Sequence, residues 1–126
     1  MRILLDTHVL IWYLEGNQGL SRTNRQKIVD PDNEIFFSLA GFWEIAIKAG
    51  TNKLKISRSL SEILQQLSAQ SIQVLNIQPG HILQLATLPF HHRDPFDRMM
   101  IAQAQVEFLP VLTHDSAFAD YGIKLI

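Results

Sequence analysis

The fold of this chain is indicated by residues 3–14, ILLDTHVLIWYL, where a short apolar run meets a helical segment. Ile3-Leu4-Leu5 is apolar without alternation, which is typical of a strand buried on both faces of a parallel sheet. Asp6 closes the run, and Thr7 to Leu14 is predicted to be a helix. Buried strands that alternate with helices favour an α/β fold.

The alternation continues to the end of the chain. Strands are predicted at 34–38, 72–75 and 110–113, with a short final strand at 123–125; helices are predicted at 21–29, 40–49, 59–69, 79–88 and 94–108, with a helical turn at 116–119. Gly41 occupies a helical position where a better helix former is expected. The predicted fold is one domain, residues 1–126, with a central, mostly parallel, twisted sheet of four to five strands flanked by helices.

Composition limits the class of protein. The 126 residues are 47% hydrophobic and 18% charged, which indicates one globular domain. The absence of cysteine excludes disulfide scaffolds, thiolate metal sites and cysteine nucleophiles. A net charge of −1 argues against a protein that coats nucleic acid, but permits a nucleic-acid enzyme with an acidic pocket and a basic rim.

Apolar runs near the start are too short for an export signal or a membrane span, because acids interrupt them at Asp6 and Glu15. We therefore expect a cytoplasmic protein without a membrane anchor. The aromatic residues Trp12, Tyr13 and Trp43 are expected to lie mostly in the core.

Two acids follow predicted strands directly. Asp6 comes after the first strand, and Asp115 lies just past the fourth. Ligands of open parallel sheets bind beyond the carboxyl ends of the strands, so both acids are candidates for a binding site. The ordinary alternative is that each caps the helix that follows it.

Two further acids lie on predicted helices. Asp97 shares a helix face with apolar residues such as Ile101, although it also lies in the first turn of a helix capped by Asp94, where negative charge is favoured. Glu44 lies in a helix that is apolar nearly all round, and Lys48 is its ordinary i,i+4 partner.

Each ordinary explanation is plausible alone, but the four acids 6, 44, 97 and 115 together predict one acidic pocket at one sheet edge. Carboxylates in one pocket repel each other and need a compensating cation. Oxygen ligands without cysteine favour Mg²⁺ or Mn²⁺ over zinc. Such ions can promote phosphodiester cleavage.

Four ordered motifs resemble those of the PIN domain, and more narrowly the VapC-type toxins of bacterial type II toxin–antitoxin pairs. The resemblance extends from residue 3 to about residue 125. The motifs are Leu5-Asp6-Thr7-His8, Phe42-Trp43-Glu44-Ile45-Ala46-Ile47-Lys48, His92-Arg93-Asp94-Pro95-Phe96-Asp97-Arg98-Met99 and Leu112-Thr113-His114-Asp115.

The resemblance implies an endoribonuclease that uses Mg²⁺ or Mn²⁺ and cuts RNA by attack of water on a phosphodiester. It makes an acidic quartet both catalytic and metal-binding: Asp6, Glu44, Asp97 and Asp115. Supporting roles fall to Thr7, Ser38, Asp94 and Thr113. Candidate RNA contacts are Lys48, Lys53, Lys55, Arg93 and Arg98, for which the alternatives are ordinary surface positions or, for Arg98, a pair with Asp94.

The resemblance also implies a small antitoxin partner that lies across a groove near the site, together with a homodimer and a toxin–antitoxin hetero-oligomer. His8 and His114 adjoin motif acids and could shuttle protons or contact RNA, but polar positions at the sheet edge are the favoured interpretation. For the adjacent pair His91 and His92 a solvated loop is predicted, since neighbouring residues rarely converge on one ion.

Two other functions compete with the nuclease. A Mg²⁺-dependent phosphatase or phosphotransferase with an aspartate nucleophile would want a second acid two residues after Asp6, where this chain has His8. A non-catalytic, receiver-like signalling module would want acids beside Asp6 and a lysine at the end of a late strand, where this chain has Thr113.

Overall fold

The computed structural model describes residues 1–126 and contains four strands, six α-helices and one 3₁₀ helix. None of the helices combines the length and the apolar character that a bilayer crossing requires. In chain order the elements are β1 (Arg2–Leu5), α1 (Thr7–Glu15), α2 (Arg22–Val29), β2 (Glu34–Ser38), α3 (Leu39–Gly50), α4 (Leu60–Ala69), β3 (Ile72–Leu75), α5 (Pro79–Leu85), α6 (Pro95–Glu107), β4 (Val111–Leu112) and the 3₁₀ helix (Ser116–Tyr121).

The sheet has the strand order β3-β2-β1-β4, and every pair is parallel. This confirms the α/β prediction. The chain runs outward from β1 through β2 to β3, and then returns to place β4 on the other side of β1. The strand order therefore reverses between β1 and β4, and the carboxyl ends of these two strands form the crevice where α/β sheets bind ligands.

The sheet ends at β4 rather than at the expected strand over 123–125. Leu125 makes only an isolated parallel bridge to Val111. The β4 strand is itself two residues long and begins after Pro110, which has no N–H for the ladder. The sheet thus has the smaller of the two predicted strand numbers.

The side chains of β1 reach the cores on both faces of the sheet. Ile3 and Leu5 belong to one hydrophobic cluster, and Leu4 belongs to the other. All three are fully buried. The unbroken apolar run predicts this arrangement, because only a strand covered on both faces has no polar positions.

Gly41 lies in the first turn of α3 at a close approach between elements. A Cβ built there would lie 2.5 Å from Cζ of Phe37 and 3.1 Å from Oγ1 of Thr7. The helix begins at Ser38, whose Oγ accepts a hydrogen bond from Ala40 N. Glycine is required at this position by the space between α3, the end of β2 and the start of α1, and not by a turn.

We expect Gly41→Ala to lower the free energy of unfolding by about 1–3 kcal/mol, because the added methyl group overpacks the contact with Phe37. Urea denaturation followed by circular dichroism measures the change. Gly50→Ala is the matched control in the same helix, since a Cβ at Gly50 meets nothing within 4 Å. Equal stabilities of the two variants would contradict this account of Gly41.

Candidate active site

Asp6 is buried at the carboxyl end of β1 and occupies the N-cap position of α1. Its side chain is 5% exposed and makes no capping hydrogen bond to α1. Instead, Oδ2 of Asp6 accepts a hydrogen bond of 2.6 Å from Oγ1 of Thr113 at the end of β4. The same Thr113 oxygen accepts the backbone N–H of Asp115 at 2.9 Å. Thr113 therefore connects two of the expected acids across the β1–β4 crevice.

Glu44 enters the crevice from α3 and is 2% exposed. Its Oε1 accepts a hydrogen bond of 2.7 Å from Oγ1 of Thr7, and its Oε2 pairs with Nζ of Lys48 one helical turn later. Lys48 Nζ also lies 3.2 Å from Oδ2 of Asp94. The expected i,i+4 pair is thus present, and Lys48 also reaches Asp94, which lies 46 residues further along the chain.

Asp97 lies between two groups of possible ligand atoms. One group consists of His92, Asp97 and Asp115, and the other of Glu44, Asp94 and Asp97; within each group the ligand atoms lie within 4.8 Å of one another. Nε2 of His92 is 3.0 Å from Oδ2 of Asp97 and 3.0 Å from Oδ2 of Asp115. Asp97 is the member that the two groups share.

The buried position and charged neighbours of Asp97 disfavour its ionised form. Burial contributes most, and the charges of Asp6, Asp94, Glu44 and Asp115 add to it, which together raise the pKa of Asp97 to about 8. Burial also raises the pKa of Asp6, against the lowering effect of the hydrogen bond from Thr113. The pocket therefore holds more negative charge than its own side chains stabilise.

In one part of the pocket, the positive charge of Lys48 balances the negative charge of Asp94. Burial alone would raise the pKa of Asp94, but the backbone N–H of Asp97, the Lys48 ammonium and the N–H of Phe96 lower it overall. Burial alone would lower the pKa of Lys48, but Glu44 and Asp94 outweigh it and raise the pKa. Asp94 also caps α6, as its Oδ1 accepts N–H groups of Phe96 at 2.8 Å and Asp97 at 3.2 Å.

The donor set fits a hard divalent cation. Lys48 is the one lysine or arginine that contacts these carboxylates, and it reaches Glu44 and Asp94 but not Asp97. Carboxylate oxygens that lack a cationic partner at Asp97, Asp115 and Asp6 match the ligands that Mg²⁺ and Mn²⁺ prefer. A bound ion would supply the positive charge that the raised pKa of Asp97 indicates is missing.

His92 corrects one expectation from the sequence. The pair His91–His92 was expected in a solvated loop, and His91 is exposed as expected. His92 is half-buried and contacts two of the site acids. The sequence position of His92 could have predicted this contact. His92 lies two residues before the helix cap Asp94, which puts its side chain within reach of the first turn of α6.

Arg98 is enclosed rather than free to meet a phosphate, and Ser38 contacts no acid. Arg98 is buried, its guanidinium donates to the carbonyls of Leu88 and Pro89, and it does not pair with Asp94. This placement removes Arg98 from the RNA candidates, because its charge is enclosed by the loop that it holds. Ser38 is also buried and donates to Oε1 of Gln103 rather than to an acid.

The remaining basic candidates are on the surface. Lys53, Lys55 and Arg93 have exposed side chains. His8 and His114 are exposed as well, and the His114 ring packs 5.1 Å from that of Trp12, centroid to centroid. The phosphatase and the receiver-like module gain no support, because position 8 adds no acid and Thr113, not a lysine, ends the late strand.

The chain is similar in sequence to a known family of proteins. A family model described as the PIN domain matches residues 3–124. Ribonuclease VapC22 of Mycobacterium tuberculosis (strain ATCC 25618 / H37Rv) is 30% identical over 103 residues, which are 81% of this chain and 78% of that protein.

Two solved structures share the fold over the whole chain. VapBC2 from Rickettsia felis, bound to a DNA fragment from its promoter, gives a TM-score of 0.75 at 14% identity, and covers 100% of this chain and 98% of the matched chain. DNA-bound VapBC from Salmonella typhimurium gives 0.72 at 16% identity, with 100% and 97% covered. At these identities the likeness concerns the fold alone.

Without divalent ions, we expect Asp97→Asn to stabilise the protein increasingly as the pH rises from about 5 to about 8. Between the ordinary carboxyl pKa of 3.8 and about 8, the folded protein keeps a proton on Asp97 that the unfolded chain releases. Stability therefore falls with rising pH through this window, by at most about 1.4 kcal/mol per pH unit, and asparagine removes the effect.

Urea denaturation in EDTA at several pH values measures the difference. Asp120→Asn serves as the control, because Asp120 is an exposed acid in the 3₁₀ helix. A stability advantage of Asp97→Asn that stays constant with pH would contradict the burial and repulsion described for Asp97.

Proposed function

Because this chain belongs to the PIN domain family and, within it, to the VapC ribonucleases, we propose that it is a metal-dependent endoribonuclease and the toxin of a toxin–antitoxin pair. The observation that carries the proposal is the convergence of acids from four separate stretches of chain on Asp97, where burial, and after it the charges of these acids, raises the pKa to about 8. Residues 1–126 form one catalytic domain in this proposal. The substrate is RNA, and the reaction is hydrolysis of a phosphodiester bond.

The ion is Mg²⁺ or Mn²⁺, and the residues that hold it are Asp6, Glu44, Asp97 and Asp115. A bound divalent ion lowers the pKa of a water molecule and stabilises negative charge that develops on the phosphate. Without an ion, the negative charge of the acids would repel RNA. Asp97 has to be ionised when the ion is bound, because a carboxyl group binds a metal in its deprotonated form. Hydrolysis adds the water oxygen to phosphorus, while the departing ribose oxygen takes up a proton.

The polar neighbours of the acids orient their oxygens. Thr113 holds Oδ2 of Asp6 at 2.6 Å, and Thr7 holds Oε1 of Glu44 at 2.7 Å. Each hydroxyl donates to only one oxygen of its carboxylate, so the second oxygen of that acid points away from the hydroxyl. Lys48 lowers the repulsion between Glu44 and Asp94, so the acids can stay close together before an ion binds.

RNA would be held outside the acidic crevice by basic residues on the surface. Lys53, Lys55 and Arg93 are the candidates with exposed side chains. Contacts of this kind go to phosphates, so they position the strand without selecting its sequence. Lys48 lies within the crevice itself, where its ammonium group already pairs with Glu44 and Asp94.

A partner protein would cover apolar surface beside the site. Trp43, which was expected in the core, is 57% exposed, and Ile47 on the same helix is 48% exposed. Trp43, Phe96 and Leu85 help to line a groove with a volume of about 330 Å³. We propose that an antitoxin segment and a second copy of the chain are the partners of this side of the molecule.

Purified protein is expected to cut total RNA in Mg²⁺ or Mn²⁺ and to stop when EDTA removes the ion. Asp97→Asn is expected to lose nearly all cleavage, since it removes the ligand shared by both groups of donors. Gel analysis of total RNA measures both effects.

Asp120→Asn is the control for this experiment and should cut RNA as the wild type does. Cleavage that survives EDTA would overturn the metal-dependent mechanism, and full activity of Asp97→Asn would overturn the assigned site.

Co-expression with a short adjacent open reading frame that encodes a small DNA-binding protein is expected to yield a stable complex in which cleavage is suppressed. Size-exclusion chromatography with light scattering measures the assembly and also reports whether the chain alone is a dimer. Unchanged cleavage in an isolated complex would contradict the toxin–antitoxin assignment.

A further inference from the structure

His92 is held in the candidate site by contacts to both its backbone and its ring. Its backbone N–H donates to Oη of Tyr121 at 2.8 Å, and Tyr121 in turn donates to the carbonyl of Pro89 at 2.9 Å. The ring packs edge-on against Phe118, with centroids 6.2 Å apart. Both aromatic partners are buried, so the ring has a fixed place and a fixed direction.

The hydrogen bonds of the ring determine which nitrogen carries the proton. Nδ1 of His92 accepts the backbone N–H of Asp94 at 3.1 Å, so Nδ1 has no hydrogen of its own. The ring hydrogen therefore lies on Nε2. Nε2 is 3.0 Å from Oδ2 of Asp97 and 3.0 Å from Oδ2 of Asp115, so one N–H is shared between two carboxylates.

We propose that His92 is a positioning residue of the metal site rather than one of its ligands. A histidine that binds a metal through Nε2 normally carries its hydrogen on Nδ1 and donates it to an acceptor. Here Nδ1 faces a donor, the N–H of Asp94, so that arrangement is not available. His92 acts instead by donating from Nε2 to Asp97 and Asp115, which come from different elements and have no other direct connection. This inference rests on the proposed metal-dependent function.

The role has a physical consequence for the ion. The shared N–H keeps the Oδ2 atoms of Asp97 and Asp115 close together, so the two oxygens are already placed side by side for an ion. Each oxygen has a second lone pair, so the hydrogen bond and a metal contact are compatible. Residues that orient metal ligands in this way typically change metal affinity by about 10–100-fold when they are removed.

The first experiment determines the position of the ring hydrogen in the metal-free protein. Long-range ¹H–¹⁵N correlation spectra of histidine-labelled protein distinguish the two tautomers, and the His92→Gln spectrum identifies the signal. We expect hydrogen on Nε2 and none on Nδ1. Hydrogen on Nδ1 would overturn the proposal, because Nε2 would then be free to bind metal.

The second experiment measures Mn²⁺ binding by calorimetry and by pulsed electron paramagnetic resonance. We expect His92→Ala to bind Mn²⁺ about 10-fold or more weakly than the wild type, and His92→Gln to recover part of that loss through its amide N–H. His91→Ala is the matched control, since His91 is exposed and its ring packs against Tyr121. The bound Mn²⁺ of the wild type should show no directly coordinated histidine nitrogen.

The outcomes separate the two proposals. A nitrogen coupling that His92→Gln abolishes would make His92 a ligand, and equal affinity of His92→Ala and wild type would make it only part of the loop; either result overturns the positioning role and leaves the nuclease proposal standing. A wild-type protein that binds neither Mn²⁺ nor Mg²⁺ overturns the proposed function and this inference with it.

Discussion

The repulsion among carboxylates around Asp97 is the constraint on which the rest of the site depends. Burial and four neighbouring acids raise the pKa of Asp97 to about 8, so the ionised pocket is unfavourable without a cation. A protein gains no stability from such a cluster. The ionised cluster becomes favourable only when a cation binds to it. Its cost in stability is therefore linked directly to the proposed binding of an ion.

The parallel sheet concentrates the acids, and hydrogen-bond donors hold them there. Asp6 and Asp115 come from the ends of neighbouring strands, because the strand order reverses between β1 and β4. Glu44 and Asp97 arrive on helices that pack over the same edge. The hydroxyls of Thr7 and Thr113 and the ring of His92 each donate to one or two carboxylates, so the donors limit repulsion without neutralising the whole pocket.

Close packing around the site restricts which residues the surrounding positions accept. Gly41 has no room for a Cβ beside Phe37 and Thr7, and Thr7 is also the hydroxyl that holds Glu44. Arg98 places its charge on the carbonyls of Leu88 and Pro89 and thereby anchors the loop that leads to His92. Residues such as Gly41 and Arg98 thus connect the core to the acids, and a substitution at either position would alter the site through direct contacts.

Local sequence patterns were sufficient to predict the α/β class, the parallel strands and the positions of the candidate acids along them. These features follow from local patterns: an unbroken apolar run marks a buried strand, and an acid directly after it marks the functional edge of the sheet. Predictions of the roles of single residues were wrong where the residue type commonly has several structural roles. Arg98 was a candidate RNA contact, with a pair to Asp94 as the alternative, and is buried. His92 was expected in a solvated loop, and it contacts Asp97 and Asp115.

The partners that those residues meet depend on how the chain folds. Lys48 joins Asp94 across 46 residues, and Thr113 joins Asp6 across 107. No periodicity of 2 or 3.6 residues carries information about contacts at such separations, because they are set by how the helices pack on the sheet. The acids could therefore be located along the chain from their neighbours in sequence, whereas their charge balance depends on neighbours that only the folded chain provides.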